Sequence, residues 1–197
     1  MRGLLFLLSF QHFSFALTFE LLAPFFPAQV LRHQITPFFN GVVIGINGLS
    51  QGLGAFWING FLMKRIGRFR TAVSGSLLVA LSMLGFAFTD VVESSALFIF
   101  LSVFLRFSQG LGISLAYEAT FAMANSMFPS RIAFANASLF CGLALGFALS
   151  PVLGAALYAP FGFKAPFFAA AILNASVLSY SFCFHGEGED HSTEATS

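Results

Sequence analysis

Charged residues are scarce in this sequence. Only 9 Lys and Arg and 8 Asp and Glu occur in 197 residues, 9% of the chain, whereas a soluble domain carries roughly 25%. This composition excludes an ordinary soluble enzyme domain, and a formal net charge of +1 gives no basic surface for nucleic acid. The two cysteines, Cys141 and Cys183, lie in apolar stretches without metal-ligand spacing. Since paired-histidine, phosphate-loop and haem motifs are also missing, we expect no cofactor and no metal site.

Long runs without charge make up most of the sequence. Four runs contain no charged side chain: residues 34–63, 71–89, 132–163 and 165–184. Two further runs contain a single one each, which is Glu20 in residues 3–31 and Arg106 in residues 94–117. A helix that spans a membrane needs about 20 apolar residues, because in hydrocarbon it must satisfy its own backbone groups. The sequence therefore predicts an all-α membrane protein.

We predict a bundle of six transmembrane helices over residues 1–184. The expected helices are residues 4–25, 38–62, 72–89, 96–117, 134–157 and 165–184. The first run is longer than the core of about 7–15 residues that is typical of a signal peptide, so we expect a retained helix. Residues 185–197 are polar and acidic and cannot form a packed core. We expect a disordered acidic cytoplasmic tail there, or the start of a central linker.

The positions of the cations predict the orientation. With a cytoplasmic N-terminus, the inside segments hold six Lys and Arg residues and the outside loops hold two, in accord with the positive-inside rule. The inside group is Arg2, Lys64, Arg65, Arg68, Arg70 and Arg131, and the outside group is Arg32 and Lys164. We therefore expect a multi-pass integral membrane protein with both termini in the cytoplasm, located in a vesicle or other endomembrane or in the plasma membrane.

Small residues recur on one face of three predicted helices. In lipid, such faces mark close contacts between helices. These residues are Gly41, Gly45, Gly48 and Gly52 in the second helix, Ser108, Gly112 and Ala116 in the fourth, and Ser138, Gly142, Gly146, Ser150 and Gly154 in the fifth. Tight packing explains any one face, but three favour tight contacts along a pathway or a sliding interface. The segment Ser-Gln-Gly-Leu-Gly occurs at 50–54 and at 108–112, which we interpret as coincidence between packing residues.

The turn after the second predicted helix contains a known pattern. Gly60, Arg65, Gly67 and Arg68 have the spacing of the signature loop of the major facilitator superfamily, G-x-x-x-D-R-x-G-R, which this turn resembles. Gly67 permits the positive φ angle that a short turn between antiparallel helices needs. Lys64 stands at the position of the acidic residue, so the usual charge pairing of the loop is changed.

Two further segments resemble motifs of the same superfamily. Residues 106–112 match R-x-x-Q-G-x-G through Arg106, Gln109, Gly110 and Gly112, a motif that is often linked to proton coupling. The fifth predicted helix resembles the antiporter motif. The positions that carry this second likeness are Gly142, Gly146, Ser150, Pro151 and Gly154. Together with the end of the first helix, the fifth resembles the vesicular amine transporter family, particularly its polyamine-transporter-like branch, over nearly the whole chain to about residue 180.

The resemblance implies the N-terminal half of a twelve-helix transporter. Such a protein exchanges protons for a small organic cation, here an amine or polyamine, by alternating access between two halves. The expected partners are membrane lipid, the cation and protons, and a second six-helix half, which is either a missing C-terminal half or another copy. The alternative hypothesis is a truncated, non-transporting membrane subunit or assembly partner.

Charged and polar residues within the predicted spans are the candidate site, because a charge at mid-membrane costs roughly 2.5–3.5 kcal/mol. Glu20, which this prediction puts deep in the first helix, is a candidate proton carrier or counter-ion to an amine. Arg106 either takes part in proton coupling or substrate binding, or braces the bundle by donating to backbone carbonyls. Asn47, Gln51 and Gln109 are polar enough to line a cavity, although hydrogen bonds between helices explain them equally well.

Two further hypotheses concern Glu118 and Ser50. We expect Glu118, near the cytoplasmic end of the fourth helix, to form an ion pair with Arg65 or Arg68. This pair would hold the signature loop, which is the gating loop of the transporter, against the fourth helix and partly replace the acidic residue that is absent at Lys64.

Ser50 lies in a G-x-S-x-G pattern, and its side chain could act as a nucleophile with His12 as the base. That enzymatic motif requires a sharp strand-to-helix turn, and Ser50 falls inside an apolar helix. We therefore predict that the chain is not an enzyme.

Overall fold

The apolar runs form long helices. A computed structural model describes the backbone of residues 2–183 and the side chains of residues 3–175, and within this range the chain contains eight α-helices and no strand. The helices are α1 (Arg2–Glu20), α2 (Phe26–Arg32), α3 (Phe38–Leu53), α4 (Asn59–Ile66), α5 (Arg68–Ala87), α6 (Ser95–Met127), α7 (Ile132–Phe161) and α8 (Lys164–Cys183). The tail predicted at residues 185–197 lies outside the described residues.

Among the residues that the structure describes, five helical stretches are long and apolar enough to cross a membrane. They are Gly3–Glu20, Phe38–Ile66, Arg68–Val91, Ser95–Met127 and Ile132–Phe161. This finding confirms an all-α protein of membrane-spanning character. The sixth span, which was expected at residues 165–184 and corresponds to α8, stays a prediction.

The first helix is shorter than we predicted. It ends at Glu20, not at residue 25, and residues 21–25 form turns in which Ala23 N donates to Glu20 O at 3.0 Å. Pro24 and Pro27 explain the break, since proline lacks an N–H donor and disfavours helical backbone at the preceding residue. The unpredicted helix α2 begins here, with a proline in its first turn. As a result, Glu20 lies at the end of α1 and not deep within it.

The second predicted helix is interrupted by a π-helical turn. The stretch from α3 to α4 is continuous, with five π-helical residues at Gly54–Ile58. A Cβ on Gly54 would lie 2.8 Å from Ser114 Oγ of α6, and Asn59 Nδ2 donates to Ser114 O and Oγ at 3.1 Å each. The π turn, a feature found mostly as a local bulge, therefore lies where this stretch contacts α6.

Two of the three predicted small-residue faces are contact faces. A Cβ on Gly75 of α5 would lie 2.5 Å from Gly112 O of α6. A Cβ on Gly142 of α7 would collide with Ser9 O of α1, and one on Gly146 with Phe13 O. These glycines let helix backbones approach closely, as expected for association in lipid.

The glycine face of α3 has no contact within this bundle. Its members, Gly41, Gly45, Gly48 and Gly52, are exposed, and a Cβ on any of them would meet nothing within 4 Å. This face therefore forms no close contact in the part of the chain that the structure describes, and its role in a pathway or a sliding interface stays a prediction. The reason is that α3 turns its other face, which carries Asn47 and Ser50, toward α6.

The two copies of Ser-Gln-Gly-Leu-Gly meet in that contact between α3 and α6. A Cβ on Gly110, in the second copy, would collide with Ser50 Oγ of the first. A Cβ on Gly54, which ends the first copy, would lie 3.6 Å from Leu111 Cδ2 of the second. The copies are packing residues, as we expected, but they pack against each other, so the repeat is a feature of one helix interface.

Candidate functional site

Arg106 links α6 to the end of α1. Its side chain is only 1% exposed. One guanidinium nitrogen, Nη1, donates to Gln109 Oε1 at 2.6 Å, and Nη2 donates to Phe19 O at 3.1 Å. The guanidinium carbon also lies 5.6 Å from the centre of the Phe19 ring, within the range of a cation–π contact. The charge of Arg106 is thereby held at a fixed position beside Glu20.

A hydrogen-bond network extends from Arg106 to α3. Gln109 Nε2 donates to Thr18 O of α1 at 3.0 Å. Asn47 Nδ2 donates to Arg106 O at 3.1 Å and to Gln109 Oε1 at 3.3 Å, while Gln51 Nε2 donates to Asn47 Oδ1 at 2.7 Å. Four of the five polar residues that the sequence indicated as a site thus lie in one hydrogen-bond network across three helices.

The fifth residue, Glu20, borders a cavity beside this network. The cavity has a volume of about 30 Å³. It is lined by Phe19, Glu20, Leu22, Ala23, Phe26, Pro27, Asn40, Val43, Ile44 and Arg106. Glu20 is half-buried and shares the cavity with Arg106. Between described side chains, the ion pair within 4.0 Å is that of Lys164 and Asp90, at 3.8 Å, so Glu20 and Arg106 do not form one. A volume of this size accommodates a water molecule or a group of similar size.

Asn40 is a residue of the site that the sequence did not indicate. Its Oδ1 atom is buried and has no hydrogen-bond partner among the described residues, and the same holds for Arg106 Nε. Both residues line the cavity. The spacing of Asn40, Val43 and Asn47 at i, i+3 and i+7 puts them on one helical face. That spacing was the available signal, since Asn47 had already been identified as a candidate.

The segment after α1 forms one wall of the cavity and is held by aromatic contacts. The Phe25 ring stacks on Tyr158 of α7 at 5.0 Å between centroids, and the Phe26 ring stacks on Phe98 of α6 at 5.9 Å. The ring of His33 lies on Phe98 at 4.1 Å. This irregular segment is therefore anchored to two long helices, although prolines end α1.

The antiporter-like motif lies against α1 and does not line the cavity. Ser150 Oγ donates to Leu17 O at 2.5 Å, and a Cβ on Gly154 would lie 3.2 Å from Leu21 O. Pro151 is inside α7 and leaves one helical carbonyl without its N–H donor. The motif thus joins α7 along α1, the helix that carries Glu20.

The turn between α4 and α5 adopts the geometry that its glycine permits. Gly67 has a φ angle of +84° and separates the two helices. Arg68 Nη1 donates to Ala122 O of α6 at 3.3 Å, and the Arg65 guanidinium lies 4.4 Å from the centre of the Phe61 ring. Lys64, like both arginines, is exposed.

The predicted latch through Glu118 is not present. Glu118 is exposed and forms no ion pair with Arg65 or Arg68 within the described chain. Arg68 instead reaches the carbonyl of Ala122, which is one helical turn further along α6. An exposed ion pair contributes little stability, so nothing compels this pair to form. The turn is held to α6 by a cation and a carbonyl, with no carboxylate involved.

The long spans, the signature turn and the buried Arg106–Gln109 pair agree with a comparison of the whole sequence. The profile of the Major Facilitator Superfamily matches residues 8–195. The chain belongs to this superfamily. The match also supports the prediction that the bundle resembles the N-terminal half of a major facilitator protein, whose members act on small solutes in membranes.

Three curated members of the superfamily are similar to the chain. It is 25% identical to the MFS-type transporter SLC18B1 of Mus musculus over 151 residues, which are 77% of this chain and 33% of that protein. Identity to the protein of the same name from Rattus norvegicus is 23% over 167 residues, or 85% and 36% of the two chains. For Homo sapiens it is 26% over 149 residues, or 76% and 32%. The chain spans about a third of the length of the curated relatives it matches.

These relatives are named as transporters and not as enzymes, and the geometry at Ser50 is that of a packing residue. Ser50 lies in the middle of a helix, where its Oγ donates to Asn47 O at 2.8 Å. His12 Nδ1 lies 3.0 Å from Leu8 O of its own helix. The major facilitator protein therefore uses Ser50 as a packing residue beside Gly110.

Proposed function

We propose that the chain is the N-terminal half of a transporter that moves a small organic cation, such as an amine or polyamine, in exchange for protons. The observation that carries the proposal is the shared cavity of Glu20 and Arg106, which line one small space without forming an ion pair. A carboxylate that has no internal cation as partner is available to a proton or to a cationic solute. The two occupants exclude each other, because a protonated carboxyl group no longer attracts a cation.

This exclusion provides the coupling that antiport requires. Solute binding to ionised Glu20 displaces a proton, and proton binding releases the solute, since each ligand lowers the apparent affinity for the other. Arg106 has a different task in this mechanism. Its two Nη atoms donate to Gln109 and to the carbonyl of Phe19, so its charge stays in place while Glu20 changes its occupant.

Alternating access needs a second body for this bundle to rock against. The exposed glycine face of α3 supports this requirement, because small residues let helix backbones approach closely in lipid. We propose that this face meets a second six-helix half, which is either a C-terminal half or another copy of the chain. With α8 as its sixth span, the bundle then forms residues 1–184 of the transporter.

The orientation is part of the proposal. The turn between α4 and α5 exposes four cations, Lys64, Arg65, Arg68 and Arg70, which favours its location on the cytoplasmic side. Both termini are then cytoplasmic, with residues 185–197 as a tail or linker. The membrane is that of a vesicle, another endomembrane compartment or the cell surface.

The same α3 face also favours a second candidate function. A membrane subunit that assembles with another protein through Gly41, Gly45, Gly48 and Gly52 would need no transport activity of its own. In that case the cavity beside Glu20 would be a packing defect, and substitution of Glu20 would leave assembly unchanged. The two candidates therefore differ in what Glu20 does.

Uptake into proteoliposomes separates these candidates. The chain, with and without a co-expressed second half, is reconstituted and tested for uptake of radiolabelled spermidine under an imposed proton gradient. We expect gradient-driven uptake that is lost in Glu20→Gln. Glu93→Gln is the matched control, because Glu93 is an exposed carboxylate that does not line the cavity.

The outcomes are distinct. Uptake by Glu20→Gln that equals the wild-type rate removes Glu20 from the mechanism. Uptake that is present without a gradient and insensitive to one contradicts proton coupling. An absence of uptake in every combination favours the assembly subunit.

A further inference from the structure

Two residues that line the cavity each carry a buried polar atom without a partner within the described chain. One is an acceptor, Asn40 Oδ1, and the other is a donor, Arg106 Nε. Arg106 is almost completely buried, at 1% exposure. Buried polar atoms in native proteins nearly always have a partner, which is often a bound water or ligand. An unpaired acceptor on a residue that lines the cavity with Glu20 therefore favours an occupant that donates a hydrogen bond.

The size and the wall of the cavity restrict that occupant. A volume of about 30 Å³ is sufficient for a water molecule or for a group of similar size, such as an ammonium group. Glu20 supplies a carboxylate, and the rings of Phe19 and Phe26 line the same space. Carboxylates and aromatic faces both attract cations. The amide oxygen of Asn40, Oδ1, adds a second hydrogen-bond acceptor, which is uncharged whatever the protonation state of Glu20.

We propose that Asn40 is a specificity-determining residue, whose Oδ1 accepts a hydrogen bond from an N–H of the solute's ammonium group. This inference rests on the proposed transport of a cation and assigns its chemical class: an aliphatic solute that ends in an ammonium group bearing N–H. A quaternary ammonium group has no N–H to donate, so Asn40 Oδ1 gives it no hydrogen bond.

Binding to the purified chain in lipid nanodiscs tests this proposal. The probes are 1,4-diaminobutane and its permethylated analogue, which carries two quaternary ammonium groups, and calorimetry gives Kd for each. In Asn40→Leu, which keeps the size of the side chain but removes the acceptor, Kd for 1,4-diaminobutane should rise about tenfold or more, as for loss of one hydrogen bond to a charged group. Kd for the permethylated analogue should not change.

Two further variants separate recognition from folding. Asn136→Leu is the matched control, because Asn136 Oδ1 is also buried without a partner within the described range, while Asn136 does not line the cavity. It should change neither Kd. Asn40→Asp retains an acceptor oxygen, so its Kd for 1,4-diaminobutane should be no higher than that of the wild type. This variant tests the proposal even if Asn40→Leu does not fold.

Several results would overturn the inference. They are an unchanged Kd for 1,4-diaminobutane in Asn40→Leu, an equal loss for both probes, a loss of binding in Asn40→Asp, or no binding of 1,4-diaminobutane to the wild-type chain. Failure of the proposed transport is a separate result. In that case the proteoliposomes show no uptake, while the nanodisc affinities still depend on Asn40.

Discussion

Gly110 of α6 lies directly against Ser50 of α3, so close that a Cβ on Gly110 would overlap Ser50 Oγ and the carbonyl oxygen of Asn47. Asn47, which provides that carbonyl, also donates through its side chain to Arg106 O and Gln109 Oε1. The close approach of α3 and α6 and the polar network therefore depend on each other. Because Gly110 has no side chain, the helices lie close enough for Asn47 to donate to Arg106 and Gln109.

Replacement of Gly110 by alanine should destabilise the bundle. The added methyl group meets the backbone of Asn47, which cannot move without displacing α3, and overpacking of this kind typically costs about 1–3 kcal/mol. For a protein of this size we expect a fall in Tm of about 2–4 °C per kcal/mol, measured by thermal unfolding of the purified chain in detergent. Gly48→Ala is the control, because a Cβ there meets nothing within 4 Å. Equal effects of the two substitutions would contradict the contact.

Gln109→Leu should destabilise the chain more than Gln51→Leu. Loss of the Gln109 side chain leaves Arg106 Nη1 buried without its 2.6 Å acceptor, and a hydrogen bond to a charged group contributes about 1.5–3 kcal/mol. Gln51 makes one neutral hydrogen bond, to Asn47 Oδ1, worth about 0.5–1.5 kcal/mol. The measurement is the same thermal unfolding, and a larger loss for Gln51→Leu would be inconsistent with the network.

Ser150→Ala should weaken the contact between α7 and α1. Ser150 Oγ donates to Leu17 O across the interface, whereas Ser138 Oγ donates to Phe134 O of its own helix. Hydrogen bonds between helices in membranes contribute about 0.6 kcal/mol on average and at most about 1.7 kcal/mol. We expect a small fall in Tm for Ser150→Ala and a smaller one for Ser138→Ala. If Ser138→Ala were the more damaging change, the interface role of Ser150 would be refuted.

Glu118→Gln should leave stability within about 0.5 kcal/mol of the wild type, as is usual for an exposed side chain without a partner. Arg68→Ala should have the larger effect, because Arg68 Nη1 donates to Ala122 O and connects the turn to α6. Limited proteolysis of the α4–α5 turn measures the difference, with faster cleavage expected only in Arg68→Ala. Faster cleavage in Glu118→Gln would support the ion pair between Glu118 and Arg65 or Arg68 that the sequence predicted.

Labelling with a membrane-impermeant maleimide checks the proposed orientation. In a background with Cys141 and Cys183 replaced by alanine, Arg70→Cys should react only from the cytoplasmic side of sealed vesicles, because the turn that begins α5 carries the cluster of cations. Glu93→Cys, in the loop before α6, should react only from the opposite side. The reverse pattern would invert the topology.

Local patterns in the sequence predicted part of the candidate site. Arg106 and Gln109 are three residues apart, so a helix alone puts them on one face, and their hydrogen bond follows. The break after Glu20 was also visible in Pro24 and Pro27, although we extended the helix through it. The partners of Asn47 were not predictable in this way, because Arg106 and Gln109 lie about 60 residues away in the chain.

The scarcity of charge and the spacing of apolar residues determined by themselves that this protein is a bundle of membrane-spanning helices, because a helix in lipid must satisfy its own backbone and tolerates few charges. Motif spacing likewise indicated the turn at Gly67. Tertiary structure alone decided that the glycines of α7 meet a neighbour while those of α3 are exposed. It also decided that Asn40 joins Glu20 and Arg106 at one cavity. Both outcomes depend on how distant helices pack, which periodicity within a single helix does not encode.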